Sequence, residues 1–273
     1  MTPKDSQRQG INPVLLEIRL FFTALMFYTR LPCPRWTGYS GDQLNRSTRY
    51  FPAIGWVVGG AVAVITGLLS LILPVALAVV VGVSCGVLLT GAFHEDGFAD
   101  VCDGFGGGHT PERVLEIMKD SRIGAYGAIG LILLFAVKLC AMTFLVAAEP
   151  WYGLVGIVFA HVLSRFSVVT LIYTDKYARS DLTSKIKPIG RKISTGGLVV
   201  SFIWLLPFVG LLWERPWWFL AVPVALLVRL FLGKRFKAVI GGYTGDCLGC
   251  AQQSIEVFVY LSILAALGAS MLW

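Results

Sequence analysis

The fold is decided by two adjoining apolar segments, residues 124–173, which read GAYGAIGLILLFAVKLCAMTFLVAAEPWYGLVGIVFAHVLSRFSVVTLIY. Each segment is long enough to cross the roughly 30 Å hydrocarbon layer of a bilayer, which takes about 20 helical residues. Glu149 and Pro150 separate the two segments, and a proline ends the helix before it. The pattern therefore predicts two membrane-spanning helices joined by a very short hairpin.

The same pattern recurs along the chain and predicts one all-α, polytopic membrane domain over residues 1–273. Mean hydropathy is +0.73, and 14% of the residues are charged, against about 25% in a typical soluble domain. Residues 11–29 carry Glu17 and Arg19 and are expected to form a helix that lies in the membrane interface. Seven spans are predicted, at residues 52–73, 75–93, 124–147, 151–173, 196–213, 216–232 and 252–272.

Positive charge is concentrated in the longer connections, which all fall on one side of the predicted topology. The net charge is +7, and segments 30–50, 175–195 and 233–250 are rich in lysine and arginine. Membrane proteins keep such residues on the cytoplasmic side, so these loops are expected to face the cytoplasm from the cytoplasmic (inner) membrane. This explanation of the charge makes the lipid bilayer the expected partner and leaves no need for nucleic acid.

The densest chemistry lies in residues 94–108, which read HEDGFADVCDGFGGG. Asp96, Asp100 and Asp103 are spaced i, i+4, i+7, so they share one face if the helix of the second span continues through them. Like charges at this spacing repel each other unless a divalent cation lies among them, and hard oxygen ligands favour Mg²⁺ or Mn²⁺. The alternative is a solvated acidic loop, which is disfavoured because Phe98 and Val101 are apolar.

The acidic segment continues to the next span, so that residues 94–123 are predicted to form a cytoplasmic active-site loop with a short helix. Thr110 and Pro111 are typical of the start of that helix. Asp120 and Arg122 come directly before the next span, where a carboxylate could hold metal and a guanidinium could hold phosphate.

Two cations lie within predicted spans, Lys138 in the third and Arg165 in the fourth. A cation at the bilayer centre costs about 2.5–3.5 kcal/mol, so both are expected to face the interior of the bundle. They are either partners in interhelical ion pairs or ligands of a substrate phosphate. Asp246, before the last span, is either a helix cap or a further acid of the site.

Taken together, these segments resemble the cobalamin (5′-phosphate) synthase family, the adenosylcobinamide-GDP ribazoletransferases. Glu95 and Gln253 depart from the family pattern, which has an apolar residue and an acid there, so no ligand role is carried to either. Glu256 matches. The resemblance is carried by Thr29-Arg30-Leu31-Pro32, Arg46, Phe51-Pro52, Gly55, His94, Asp96-Gly97, Ala99-Asp100, Asp103-Gly104, Leu115 to Arg122, Gly124, Lys138, Ser164-Arg165, Thr244-Gly245-Asp246 and Leu248-Gly249.

The resemblance implies a metal-assisted phosphoryl transfer. Adenosylcobinamide-GDP and α-ribazole, or α-ribazole 5′-phosphate, would give adenosylcobalamin, or its 5′-phosphate, and GMP, with Mg²⁺ as cofactor and Mn²⁺ as a substitute. The implied metal ligands are Asp96, Asp100, Asp103 and Asp120, of which Asp96 and Asp100 are catalytic and Asp100 is the candidate base. The implied substrate-binding and phosphate-binding residues are His94, Gly104, Ser121, Arg122, Lys138, Arg165, Arg46 and Asp246.

Two other functions remain open at this point. A CDP-alcohol-phosphotransferase-like enzyme would use a similar acidic helix, but the second half of its motif is not found. A transporter of an anion or of cobinamide would use the intramembrane cations, but no inverted repeat is visible. Association with other enzymes of the cobalamin pathway is expected, and a homo-oligomer is left open.

Overall fold

The computed structural model describes residues 12–178 and 190–271, and in this part of the chain the regular structure is entirely helical. Short 3₁₀ turns flank several of the α-helices. The α-helices are α1 (Pro13–Tyr28), α2 (Gly41–Ser47), α3 (Phe51–Leu69), α4 (Val75–Thr90), α5 (Phe93–Gly107), α6 (Pro111–Ile117), α7 (Ala125–Ala148), α8 (Pro150–Thr174), α9 (Thr195–Ile203), α10 (Phe208–Glu214), α11 (Ala221–Ile240) and α12 (Gly245–Met271).

The predicted polytopic architecture is confirmed. Besides five straight helical stretches, two bent pairs of helices are candidate spans: α4 with α5, bent by 88°, and α9 with α10, bent by 55°. Each of the seven predicted spans therefore coincides with a long helix or with part of a bent pair. Five helical stretches are long and apolar enough to cross a membrane, namely Gly41–Leu69, Ala125–Ala148, Pro150–Thr174, Pro216–Ile240 and Gly245–Gly268.

The bundle is held together by close helix approaches at small residues. A side chain at Gly55 of α3 would lie 2.7 Å from the carbonyl oxygen of His161 on α8, and one at Gly59 would lie 2.8 Å from the His161 Cβ. Small residues at helix interfaces let backbones approach closely in membranes, where burial of apolar surface does not drive helix association. The α3–α8 pair therefore forms a tightly packed centre around which the other helices are arranged.

Connecting segments meet at one end of the bundle, which we call the polar face; their described residues are 29–50, 91–124, 175–178, 190–194 and 241–244. In the described parts of these segments, Asn45 Nδ2 donates to the Lys192 carbonyl at 2.9 Å, and the Tyr243 amide donates to the Lys176 carbonyl at 3.0 Å. The predicted clustering of the long connections on one side is therefore seen in their direct contacts.

Helix α1 begins and ends at the polar face. Near its start, Glu17 accepts hydrogen bonds from Arg49 at 3.1 Å and from Tyr50 at 2.8 Å, just before α3 begins. Just after its end, the Arg30 amide donates to the Leu89 carbonyl at 2.8 Å, where α4 ends. The start of α3 and the end of α4 lie at the same end of the bundle, so α1 runs along that end, as an interfacial helix would.

Candidate active site

The acidic segment forms a helix of its own, α5, that turns sharply away from α4. The expectation that the second span continues through the acids is wrong, because Gly91 and Ala92 both take left-handed backbone angles, with φ of 69° and 59°. Glycine adopts this conformation without steric cost, and it ends α4. Helix α5 then leaves at 88° to α4. Asp96, Asp100 and Asp103 still lie on one helix, but that helix belongs to the polar face and does not continue the direction of α4.

Two acids of helix α5, Asp96 and Asp100, lie away from its packed side. Asp96 is exposed and Asp100 is half-buried, whereas Glu95 and Ala99 are buried. The first turn of α12 packs directly on α5, since a side chain at Gly97 would lie 2.9 Å from the Cα and the carbonyl oxygen of Asp246. This contact brings the backbone of Asp246 against α5 between Asp96 and Asp100. The backbone of Asp246 therefore lies next to the part of α5 that carries Asp96 and Asp100.

Asp103 caps the N-terminus of α7. Its two carboxylate oxygens accept the backbone amides of Gly124, at 2.7 Å, and Gly127, at 2.8 Å, and the side chain is buried. A carboxylate is stabilised at a helix N-terminus by the unpaired amides there and by the helix dipole. Asp103 therefore ties the second half of α5 to the start of α7.

Asp120 and Arg122 form an exposed ion pair at the end of the acidic segment. The Arg122 Nη2 lies 2.7 Å from the Asp120 Oδ2, and the hydrogen bonds from Arg122 hold the pKa of Asp120 at about 2. The pair lines an open cleft of about 620 Å³ between α5, α6 and the start of α7. Arg113 and Asp103 line the same cleft. Asp120 occupies the Nε and Nη2 edge of the guanidinium, and the remaining N–H donors of this exposed side chain are suited to bind phosphate oxygens.

No three His, Cys, Asp or Glu side chains in the described residues are close enough together to hold a metal ion. The predicted set of four carboxylates is therefore not assembled, because Asp103 accepts from amides and Asp120 from Arg122. Mg²⁺ needs no such set, since it commonly binds one or two carboxylates together with water and substrate phosphates. Asp96 and Asp100, one helical turn apart on the outer side of α5, fit that donor requirement.

Lys138 and Arg165 lie deep inside the bundle and face an acid rather than the cleft. Both are almost fully buried, and Glu256 of α12 is the shared partner. The Lys138 Nζ lies 2.5 Å from one Glu256 oxygen, and the Arg165 Nη1 lies 3.6 Å from the other. Of the two alternatives open from sequence, the structure shows interhelical ion pairs. Together with His94, both cations also line one small cavity inside the bundle.

The other predicted binding residues are distributed over several places. His94 is buried and stacks on Phe51, with ring centroids 5.6 Å apart. Gly104 contacts α6, where an added side chain would meet Met118, and Ser121 is exposed beside Asp120. Arg46 lines a separate basic cleft between α2 and the start of α9. The structure does not bring these residues together.

Sequence reasoning assigned no role to Arg30, which lies at the bend between α4 and α5. A side chain at Gly91 would collide with its guanidinium, so the exposed Arg30 side chain packs on the turn that starts the acidic helix. The sequence places Arg30 directly after the interfacial helix, and therefore near the polar face. The sequence does not show the bend between α4 and α5, which brings residues 30 and 91 into contact.

A polytopic helical bundle that presents carboxylates and arginines at its polar face is typical of a membrane-embedded enzyme for phosphate-bearing substrates. Sequence comparison gives the particular family. The model of the family described as cobalamin-5-phosphate synthase matches residues 20–264, and the chain belongs to this family.

Curated relatives cover almost the whole chain and carry the name adenosylcobinamide-GDP ribazoletransferase. The protein of Shewanella frigidimarina is 44% identical over 255 residues, which cover 92% of this chain and 96% of the relative. The protein of Leptospira interrogans is 40% identical over 258 residues, 93% of this chain and 97% of the relative. That of Leptothrix cholodnii is 39% identical over 253 residues, 91% and 96% of the two chains. No solved structure matches the chain.

Proposed function

We propose that this chain joins adenosylcobinamide-GDP to α-ribazole, or to α-ribazole 5′-phosphate, and releases GMP. Family membership and the names of relatives that match over nine-tenths of the chain support the overall reaction. The observation that carries the site is the placement of Asp96 and Asp100 on the outer side of α5, at the junction with α12. The cleft with Arg122 opens beside the same helix.

The reaction is a displacement at phosphorus. The ribose hydroxyl oxygen of the ribazole forms a bond to the phosphorus that carries the cobinamide, the bond from that phosphorus to the GMP oxygen breaks, and the hydroxyl proton is released. Asp100 is the group proposed to accept that proton, because it is half-buried and lies one helical turn from Asp96. Arg122 would bind and orient phosphate oxygens of the diphosphate, with Asp120 holding its guanidinium in place.

Asp96 and Asp100 are the residues proposed to hold Mg²⁺, or Mn²⁺ in its place. When bound, the cation would neutralise the diphosphate and stabilise the GMP leaving group. The two carboxylates supply hard oxygen donors one turn apart, and substrate phosphates and water would supply the other donors. Asp103 is given no metal-binding role, because it accepts the amides at the start of α7. Lys138 and Arg165 are given no phosphate-binding role, because both pair with Glu256 inside the bundle.

The polar face is proposed to open to the cytoplasm, where nucleotide substrates are found. Support comes from the lysines and arginines of the segments that meet there, which follow the charge bias of cytoplasmic loops. The protein would then be a multi-pass protein of the cytoplasmic membrane with its site on the inner side.

The test is GMP release by purified protein in lipid vesicles supplied with Mg²⁺, adenosylcobinamide-GDP and α-ribazole 5′-phosphate. Asp96→Asn and Asp100→Asn should each lower kcat at least 100-fold, while thermal unfolding stays unchanged. Glu112→Gln, which removes an exposed carboxylate from the first turn of α6, is the matched control and should retain activity. Near-normal rates in both aspartate variants would remove this site from the reaction.

A further inference from the structure

The bundle contains a cluster of polar side chains that the proposed chemistry does not use. We call it the intramembrane cluster; all its members are buried, and they come from α5, α7, α8 and α12. Such groups are costly inside a membrane and persist where they have a function. The cluster consists of Glu95, Lys138, His161, Arg165, Gln252, Gln253 and Glu256.

A continuous path of hydrogen bonds runs through this cluster from the acidic helix to α7. Glu95 Oε1 on α5 accepts from Gln253 Nε2 on α12 at 2.8 Å, and Gln253 Oε1 accepts from Lys138 Nζ on α7 at 3.2 Å. Lys138 is in turn paired with Glu256 at 2.5 Å. Glu95 is thus the point at which α5 joins the cluster.

Helix α5 is therefore anchored at two places by directional bonds. Glu95 joins its first turn to α12, and Asp103 joins its last turns to the start of α7. Asp96 and Asp100 lie between the two anchors, on the outer side of the helix. The close packing of Gly97 on the backbone of Asp246 sets the distance between α5 and α12. The hydrogen bond of Glu95 at the first turn adds a directional restraint on the rotation of α5.

We propose that Glu95 is a positioning residue, whose hydrogen bond to Gln253 sets the rotation of α5 and so the direction of Asp96 and Asp100. This inference rests on the proposed roles of those two aspartates. It adds that the intramembrane cluster, through Gln253, holds the helix that carries Asp96 and Asp100. Residues that support metal-binding or reacting groups in this way typically account for 10- to 100-fold in affinity or activity.

The contact requires an acceptor at position 95 and a donor at position 253, and it does not require the charge of Glu95. Glu95→Gln keeps an acceptor oxygen and should retain kcat within about threefold, whereas Glu95→Ala should lower kcat about 10- to 100-fold. Gln253→Glu removes the donor and sets a second acid against Glu95, so it should show a similar loss. Combining Glu95→Gln with Gln253→Glu restores a donor and an acceptor in reversed order and should recover most of the activity.

Two readouts and one control variant separate positioning from a general loss of structure. The KM for adenosylcobinamide-GDP should change little, because Glu95 is buried on the packed side of α5, away from the side that carries Asp96 and Asp100. Mn²⁺ binding without substrates, followed by electron paramagnetic resonance, should weaken about 10- to 100-fold in Glu95→Ala and recover in the reversed pair. Ser201→Ala removes a different buried interhelical hydrogen bond, to the Arg49 carbonyl at 2.9 Å, and is the matched control with unchanged kcat.

Unchanged kcat in Glu95→Ala, or a reversed pair as impaired as Gln253→Glu alone, would overturn the proposal. If Glu95→Ala does not fold, the comparison of Gln253→Glu with the reversed pair still decides the question, since both keep a polar group at each position. Failure of the proposed function gives a different pattern, in which Asp96→Asn is active and wild-type protein binds no Mn²⁺.

Discussion

The contact between α5 and α12 allows a sharp prediction for Gly97→Ala. The new Cβ would lie 2.9 Å from two backbone atoms of Asp246, and an ordinary contact begins at 3.4 Å. Backbone atoms of a packed helix have no rotamer to change, so α12 must retreat from α5 by about 0.5 Å. Overpacking of this kind costs about 1–3 kcal/mol of stability. Because a misplacement of 1 Å can cost about 100-fold in rate, kcat should fall about tenfold.

The assay is GMP release in lipid vesicles, with thermal unfolding measured on the same preparation. Gly60→Ala is the matched control, since Gly60 is also helical and a Cβ there meets no atom within 4 Å. Alanine is the better helix former by about 1 kcal/mol, so the control should be at least as stable as wild type. The reasoning is refuted if Gly97→Ala turns over within twofold of Gly60→Ala.

Four further predictions concern ionised groups. Asp103→Ala leaves two backbone amides without a charged acceptor and should lower the free energy of unfolding by roughly 3 kcal/mol, seen as a lower midpoint of thermal unfolding. Lys138→Met removes the nearer of the two cations that pair with Glu256 and leaves Arg165 at 3.6 Å, so it should cost about 3 kcal/mol by the same measurement. Arg122→Ala should leave that midpoint unchanged, since its side chain is exposed, but raise the KM for adenosylcobinamide-GDP about tenfold. Because Arg122 holds the pKa of Asp120 at about 2, a pH–rate profile above about pH 4 should show no titration of Asp120.

The membrane architecture could be predicted from the sequence because it depends on composition over long segments. Runs such as residues 124–147 are apolar over a length that only a spanning helix requires. The short hairpin at Glu149 and Pro150 appears in the structure where the proline indicated it, between α7 and α8. Local chemistry was sufficient for these features.

The bend before the acidic helix could not be predicted, because one glycine in a helical pattern does not dictate a break. Gly91 is left-handed here, and so is Ala92, which has no intrinsic preference for that conformation. Tertiary contacts determine both angles, including the Arg30 side chain that packs on Gly91. The role of Asp103 was missed for the same reason, since the amides that it binds become neighbours only after α5 turns.

Partner choice inside the bundle was also beyond the sequence. Lys138 and Arg165 predicted that some compensating acid must exist, but nothing in the local pattern identified which one. Glu256 meets both because α12 packs between the helices that carry them, and that packing depends on the whole fold.

The pairing of Lys138 and Arg165 with Glu256 bears on how the protein is made. A ribosome completes the third and fourth spans long before it reaches the last one, so both cations enter the lipid while their counter-ion is still untranslated. Each unpaired cation costs about 2.5–3.5 kcal/mol at the bilayer centre, and that cost persists until α12 arrives. Products of premature termination would keep it permanently, which gives cellular proteolysis a physical basis for distinguishing unfinished chains from finished ones.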